Sequence, residues 1–283
     1  MDLKSRVGKV VMCIIGATAV AGSLLQLMPG NRNNDPGPLV TGTIQTQRGE
    51  HRCEALPDKS RACLNTNSVL RYTYSQRARN LELVSGEVLL TVDSADKRPL
   101  SALSGSFLTR DLSTEFDLRK KSTSTVMTVT DGAVRVTAAP INTTVREAFN
   151  QGSDEPASKA KHNYHRLDEV EFDESTMTLY QHPALTEARL SQLLAWQRGR
   201  INLNGLSLGD ALAEFSRYER IDTVKFTDPA LRNLLVGGEM DSAGGFRDFV
   251  QALPAVYHVR CTIKTAADGH TTVTVSHRPP QGN

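Results

Sequence analysis

Residues 79–92 read Arg-Asn-Leu-Glu-Leu-Val-Ser-Gly-Glu-Val-Leu-Leu-Thr-Val, and they set the rhythm for the middle of the chain. Leu81 and Leu83 alternate with polar neighbours before Ser85-Gly86, and Val88, Leu90 and Val92 alternate after it. Period-two apolar spacing on both sides of a Ser-Gly pair predicts two strands joined by a tight turn. Val126, Val129, Val134 and Val136 repeat the pattern around Asp131-Gly132, a dipeptide suited to the left-handed backbone of a short hairpin loop. From Val40 to Ala138 short runs of Val, Leu and Thr are punctuated by Gly, Asp-Lys and Ser-Gly, with no helical period of comparable length. Residues 40–140 are therefore expected to form an all-β domain.

Toward the N-terminus, Val10 to Met28 is an uncharged apolar run. Its length matches a membrane-spanning helix, because about 20 helical residues cross the hydrocarbon layer. Lys4, Arg6 and Lys9 precede it and only Arg32, offset by Asp35, follows soon after. That asymmetry places residues 1–9 in the cytoplasm and the bulk outside, in the periplasm of a bacterium, anchored in the inner membrane by a single pass. A cleaved signal peptide is the alternative, since an A-x-A pattern stands at Ala19 to Ala21. Residues 29–39, rich in Asn, Asp, Gly and Pro, read as a linker.

Toward the C-terminus, residues 141–195 read as a connecting segment, with Val170 to Phe172 and Met177 to Tyr180 as short strands and a helix over Ala184 to Gln197. Residues 196–283 have a different rhythm. Ser207 precedes Leu208, Ala211, Leu212 and Phe215, a capped helical face. Phe246, Phe249, Val250 and Leu253 mark another helix that Pro254 is expected to stop. With strands at Ile201 to Asn204, Val224 to Phe226 and Val236 to Met240, and a hairpin about Asp268-Gly269, this predicts two β-α-β units on a small open sheet. The expected fold class is mainly β plus α/β, with one transmembrane helix, an all-β domain and a small β-α-β domain.

A net charge of +2 without a dense basic block gives no support for a nucleic-acid partner. Arg119, Lys120 and Lys121 read as a solvated turn. Of four cysteines, Cys13 lies in the apolar run, Cys261 reads as a small core residue, and Cys53 and Cys63 flank the turn Leu56-Pro57-Asp58-Lys59. If that turn is a three-residue loop the two face each other, and both a disulfide and two separate thiols fit. Among seven histidines, His162, His165 and His182 are close in sequence but lack the frame of a zinc site. No phosphate cradle, nucleophile elbow or H-E-x-x-H word is present, and Asp111 with Glu115 is the one carboxylate pair a glycosidase reading could use. Neither an enzyme nor a cofactor is expected.

Several words in order resemble the FecR-like family of periplasmic sensors that regulate extracytoplasmic-function sigma factors. Gly49-Glu50, Leu56-Pro57-Asp58, Leu64-Asn65 and Ser68 resemble its opening hairpin. Arg79, Leu83, Gly86-Glu87 and Val92 resemble its next segment, Arg98-Pro99 its R-P-F word with Leu100 in place of the aromatic, and Thr114 to Arg119 and Asp131 to Val136 its last strands. Trp196, Gly199, Leu206, Leu208, Arg217 and Tyr218 resemble the start of its C-terminal domain, related to signalling modules of TonB-dependent receptors and secretins. Lys59 and Ser113 stand where the family usually has glycine, and only nine residues precede Val10, where the family's sigma-binding domain normally lies.

The resemblance implies a sensor that relays the state of a TonB-dependent outer-membrane receptor, through its N-terminal signalling domain, toward a sigma factor, as in iron-uptake regulation. The sigma contact then falls to a separate cytoplasmic polypeptide or to a segment encoded upstream; a decoy that titrates the receptor and an incomplete gene product are the other readings. The alternative is a periplasmic scaffold docking on a secretin-like channel. Val236, Gly237, Gly238, Glu239 and Met240 are the candidate strand edge for the partner, with a central, closely packed strand as the competing reading. Arg79, Glu87 and Arg98 are expected to pair within the β domain and hold hairpin ends.

Overall fold

The computed structural model describes residues 39–111, 114–138 and 162–278. Val10 to Met28 and the 29–38 linker lie outside these residues, as does much of the 141–195 segment. Thirteen strands form one sheet. They are β1 (Val40–Gln45), β2 (Arg52–Ala55), β3 (Arg61–Leu64), β4 (Val69–Tyr74), β5 (Arg79–Thr91), β6 (Leu100–Ser104) and β7 (Phe107–Asp111). The rest are β8 (Glu115–Lys120), β9 (Ser124–Asp131), β10 (Ala133–Ala138), β11 (His162–His165), β12 (Glu169–Asp173) and β13 (Thr178–Gln181).

The predicted hairpin at Ser85-Gly86 is instead the middle of β5, a strand of 13 residues. Its first half pairs with β4 and, in parallel, with β6; its second half pairs with β3 and β8. The chain changes partners at a bulge: Val69 faces Ser85 while Leu70 faces Leu83, so Val84 is an extra residue. An added residue inverts the face of everything beyond it. That is why odd-numbered Leu81 and Leu83 and even-numbered Val88 and Leu90 all point into one core. Gly86 sits at φ +84°, and a Cβ there would lie 2.5 Å from the Ser68 Cα. Its freedom serves a bend within a strand rather than a turn between two. Asp131-Gly132 behaves alike: β9 pairs with β8 and β12, whereas β10 pairs with β7 and β11, so no hairpin forms there.

Two half-sheets sharing β5 result, one ordered β1-β4-β5-β6-β7-β10-β11 and the other β2-β3-β5-β8-β9-β12-β13. They close over a common core in which Phe107 of the first half meets Phe172 of the second, with ring centroids 5.8 Å apart. Strands β11, β12 and β13, in the segment read as connecting, belong to this sheet.

One charged network lies inside. The Arg79 side chain is fully buried and donates from Nη1 to Asp58 Oδ2 at 2.7 Å and from Nε to the Arg98 carbonyl at 2.9 Å. Tyr74 and Ser60 hydroxyls donate to the same Asp58 carboxylate at 3.2 and 2.6 Å. Burial, reinforced by Asp58, pushes the Tyr74 phenol above its ordinary range. Arg98 pairs with Asp96, holding that carboxyl at about 2, and its guanidinium lies over the Tyr74 ring. Arg79 and Arg98 thus find their partners within the β domain, and Arg79 also bonds the Arg98 carbonyl, whereas Glu87 pairs with Arg217 of the C-terminal part.

The C-terminal part departs from the expected open sheet. Its strands β14 (Arg200–Asn202), β15 (Leu206–Ser207), β16 (Thr223–Phe226), β17 (Leu235–Val236), β18 (Glu239–Asp241), β19 (Val259–Thr265) and β20 (Thr271–His277) form three small sheets, β14-β18, β15-β17 and β16-β20-β19. Only β16 and β20 run parallel. The helices are α1 (Glu187–Leu193), continued by a 3-10 turn over Leu194–Arg198, then α2 (Leu208–Tyr218) and α3 (Gly245–Val256). Pro254 falls inside the last turn of α3 instead of ending it. Gly237-Gly238 splits the anticipated Val236 to Met240 strand, since two successive residues without side chains let the backbone leave one partner for another.

The fold-class expectation is corrected accordingly: the protein is mostly β with three short helices in the described residues, not a β domain followed by an open β-α-β sheet. Among those residues no helix is long and apolar enough to cross a membrane. The Val10 to Met28 reading lies outside them.

Arg79→Ala leaves the Asp58 carboxylate buried without its cation and is expected to cost about 3 to 5 kcal/mol in chemical denaturation. Lys59 holds φ +71° in the β2–β3 turn, which strains a residue with a Cβ. Lys59→Gly should stabilise the fold by roughly 0.5 to 1 kcal/mol, after allowing for glycine's greater freedom when unfolded.

Candidate functional site

The outer face of the second half-sheet should be wet, since alternation sends Val88, Leu90 and Leu118 inward and Glu87, Leu89, Asp117 and Arg119 outward. Yet Glu87 is 4% exposed, Leu89 3% and Asp117 7%. The C-terminal module covers them.

Two contacts seat it. Trp196, on the 3-10 turn after α1, packs on Leu89 and Cys63. Cys63 is bonded to Cys53 across the directly paired positions of β2 and β3, so the indole rests on a disulfide-braced hairpin. Gly199 ends that turn at φ +68°, a left-handed cap. Second, the C-terminal end of α2 brings Arg217 and Tyr218 onto Glu87. Arg217 forms ion pairs with Glu87 and with Glu214 one turn earlier, and Glu214 accepts from Arg119 Nη2 at 2.9 Å. The result is an alternating row, Glu87, Arg217, Glu214, Arg119, running from β5 through α2 to β8.

Asn65, fully buried beside β3, donates from Nδ2 to Glu87 Oε2 at 2.7 Å and to the Tyr218 hydroxyl oxygen at 2.9 Å. The last carbonyls of α2 also find donors on the β domain. Thr66 Oγ1 donates to the Arg217 carbonyl at 3.1 Å, and Arg48 Nη1 to the Glu219 carbonyl at 3.1 Å. A helix leaves such carbonyls unpaired, so the β domain caps it.

The electrostatics follow from burial. Desolvation raises the Asp117 carboxyl well above its ordinary range, and neighbouring Glu87 raises it further; Arg119 and Arg217 only partly offset this. Burial would also raise Glu214, but Arg217 and Arg119 outweigh it and hold that carboxyl low. Burial opposes the Arg217 charge, yet Glu87 and Glu214 more than compensate and keep it protonated. Beside this row a polar cleft of about 260 Å³ opens between the sheet face and the module. Asp117 Oδ1 and Trp196 Nε1 line it, and neither has a hydrogen-bond partner among the described residues.

Of the positions singled out by sequence, Cys53, Cys63, Glu87, Trp196, Gly199, Arg217 and Tyr218 meet at this contact, and Gly86 makes the bend that leads to it. Arg79 and Arg98 lie in the internal network. In the 236–240 stretch, Val236 is buried, the Gly237 amide donates to the Tyr257 hydroxyl at 3.0 Å, the Gly238 amide to Asn204 Oδ1 at 2.8 Å, and Glu239 and Met240 pair with β14. Part of that edge is therefore engaged within the chain. Asp117 and Glu214 were not singled out, because an acidic residue at an outward strand position or on a helix looks solvated. His182 contacts Glu171 at 3.3 Å, the side chains of His162 and Asp111 lie outside the described residues, and Glu115 accepts from Thr91 and Thr130. Among the described residues no three His, Cys, Asp or Glu side chains are placed to hold a metal ion.

Residues 42–135 match the family model described as FecR protein; the words read from Trp196 to Tyr218 lie beyond that match. Two crystal structures of a "putative anti-sigma factor" from Parabacteroides distasonis ATCC 8503 share the fold. They superpose with TM-scores of 0.60 and 0.59 at 15% identity, over 83% of this chain and 99% of that one. No curated protein matches the chain.

Arg217→Ala would leave Glu87 buried against Asp117 with its main cation gone, at a cost of about 3 kcal/mol or more. Hydrogen exchange should then speed up in α2 and around Asn65 while the amides of β5 to β7 stay protected.

Proposed function

We propose that this chain, whose residues 42–135 match the FecR family, regulates a sigma factor by sensing a TonB-dependent outer-membrane receptor through protein contact. The family match carries the reading. The fold shared with crystal structures described as an anti-sigma factor supports it, and so does the Cys53–Cys63 bond, since structural disulfides belong to oxidising compartments such as the periplasm.

In this reading the receptor's N-terminal signalling domain engages the C-terminal module, and the interface between Glu87 and Arg217 is the two-state element. A receptor shifts that element only if it binds the docked and released arrangements with different affinity; contact alone shifts nothing. A row of alternating charges suits the role. Paired it holds the module, and once parted it leaves Glu87 and Arg217 seeking water or a partner, so intermediate positions are disfavoured.

The test is capture from an outer-membrane extract by the full chain, joined to a sigma-dependent reporter in cells. Recovery of a TonB-dependent receptor, with a reporter response that Arg217→Ala alters, is the expected result. Recovery of a secretion channel with the reporter unchanged would replace the relay by a scaffold.

A further inference from the structure

The seat of the C-terminal module holds one carboxyl group more than its cations match. Glu87 and Asp117 stand on neighbouring strands, β5 and β8, on the same covered face, both are buried, and Asp117 Oδ1 has no hydrogen-bond partner among the described residues. Buried without a cation of its own, Asp117 keeps its proton beside the Glu87–Arg217 ion pair. Their surroundings offer little relief. On the module side α2 supplies Arg217, Glu214 and the Tyr218 phenol; from the sheet come Arg119 on the same strand and the Asn65 amide beside β3. Farther along the cleft are Glu169 and Glu171 of β12, Lys121, His182, Arg189 and Arg200. Of these, Lys121 and His182 already serve Glu171, and Arg200 serves Asp241. Arg217 is shared between Glu87 and Glu214, and Arg119 is committed to Glu214.

We propose that docking of α2 on this face is gated by a single proton held on Asp117 beside Glu87: the module stays seated while the proton is there, and its departure to solvent releases the module. With the proton, Glu87 faces Arg217 as one anion beside a neutral carboxyl. Without it, two buried anions face one shared guanidinium, and the simplest relief is for the module to lift and let water in. The gate rests on the two-state reading of the same interface and adds what sets its balance.

The direction follows from the two shifts. Asp117 is raised by folding, so its contribution to docking is complete at low pH and lost as pH rises through the raised value. Glu214 is lowered by folding, so its contribution is present above the ordinary carboxyl range and lost as pH falls through the lowered value. Docking therefore has an acid limb set by Glu214 and an alkaline limb set by Asp117.

Trp196, the only tryptophan in the chain, reports on the seat. A disulfide quenches an indole packed on it, so release should raise the emission and shift it to the red. In a pH titration of the full chain the wild type should show both limbs, with far-UV circular dichroism losing no more than the last turn of α2 across the alkaline one. Asp117→Asn carries no titrating proton and should abolish the alkaline limb while keeping the acid one. Glu87→Gln removes the second anion and should also abolish the alkaline limb, which keeps the test available if one variant does not fold. An alkaline limb that persists in a folded variant of either kind, or its absence from the wild type, overturns the gate. If the variants behave as expected but a purified receptor signalling domain leaves Trp196 emission untouched, the gate stands and the receptor relay falls.

Discussion

A carboxylate shut away from water must have a cation, and most of this molecule's upper architecture can be traced to how Glu87 obtains one. Its strand is committed to the core on the opposite face by Val88 and Leu90, so Glu87 cannot turn away. The β domain offers it only an amide, from Asn65. The charge has to come from elsewhere in the chain, and α2 delivers Arg217 from 130 residues away in sequence. Trp196 does for apolar surface what Arg217 does for charge, covering Leu89 and Cys63 on the same face. Neither part has a finished surface without the other.

The fold was legible in part, and the misses have a common cause. Alternation correctly marked strands, and Asp268-Gly269 joins β19 and β20 as read. Ser85-Gly86 and Asp131-Gly132 carry the same turn chemistry, but here each passes the chain between two half-sheets instead of back on itself. Composition does not separate those uses. Parity does: core residues at 81 and 83 but at 88 and 90 need one inserted residue in a continuous strand. In the C-terminal part the helices α2 and α3 follow from their apolar faces. The sheet does not, because strands of two or three residues such as β14, β15 and β17 are too short to show a period.

The contact was legible through residues that are odd for their place. A glutamate after the Ser-Gly bend, a lone tryptophan and an Arg-Tyr pair at a helix end all stood out as family words, and the structure brings them together. What sequence could not reveal was that the outer face of β8 is covered. Asp117 alternates with inward-facing Phe116 and Leu118 as any solvent-facing acid would, and only its burial beside Glu87 makes it notable.

The end of α2 has one more consequence. Its final carbonyls are capped by Thr66 and Arg48, side chains of the β domain. Lifting α2 from the β domain therefore strips the helix terminus as well as breaking an ion pair, and the last turn, which carries Arg217 and Tyr218, would unwind along with the departure. Folding and association share the same residues at this spot, so the module offers two shapes of its own surface, one with a complete helix and one with a frayed end, to whatever meets it next.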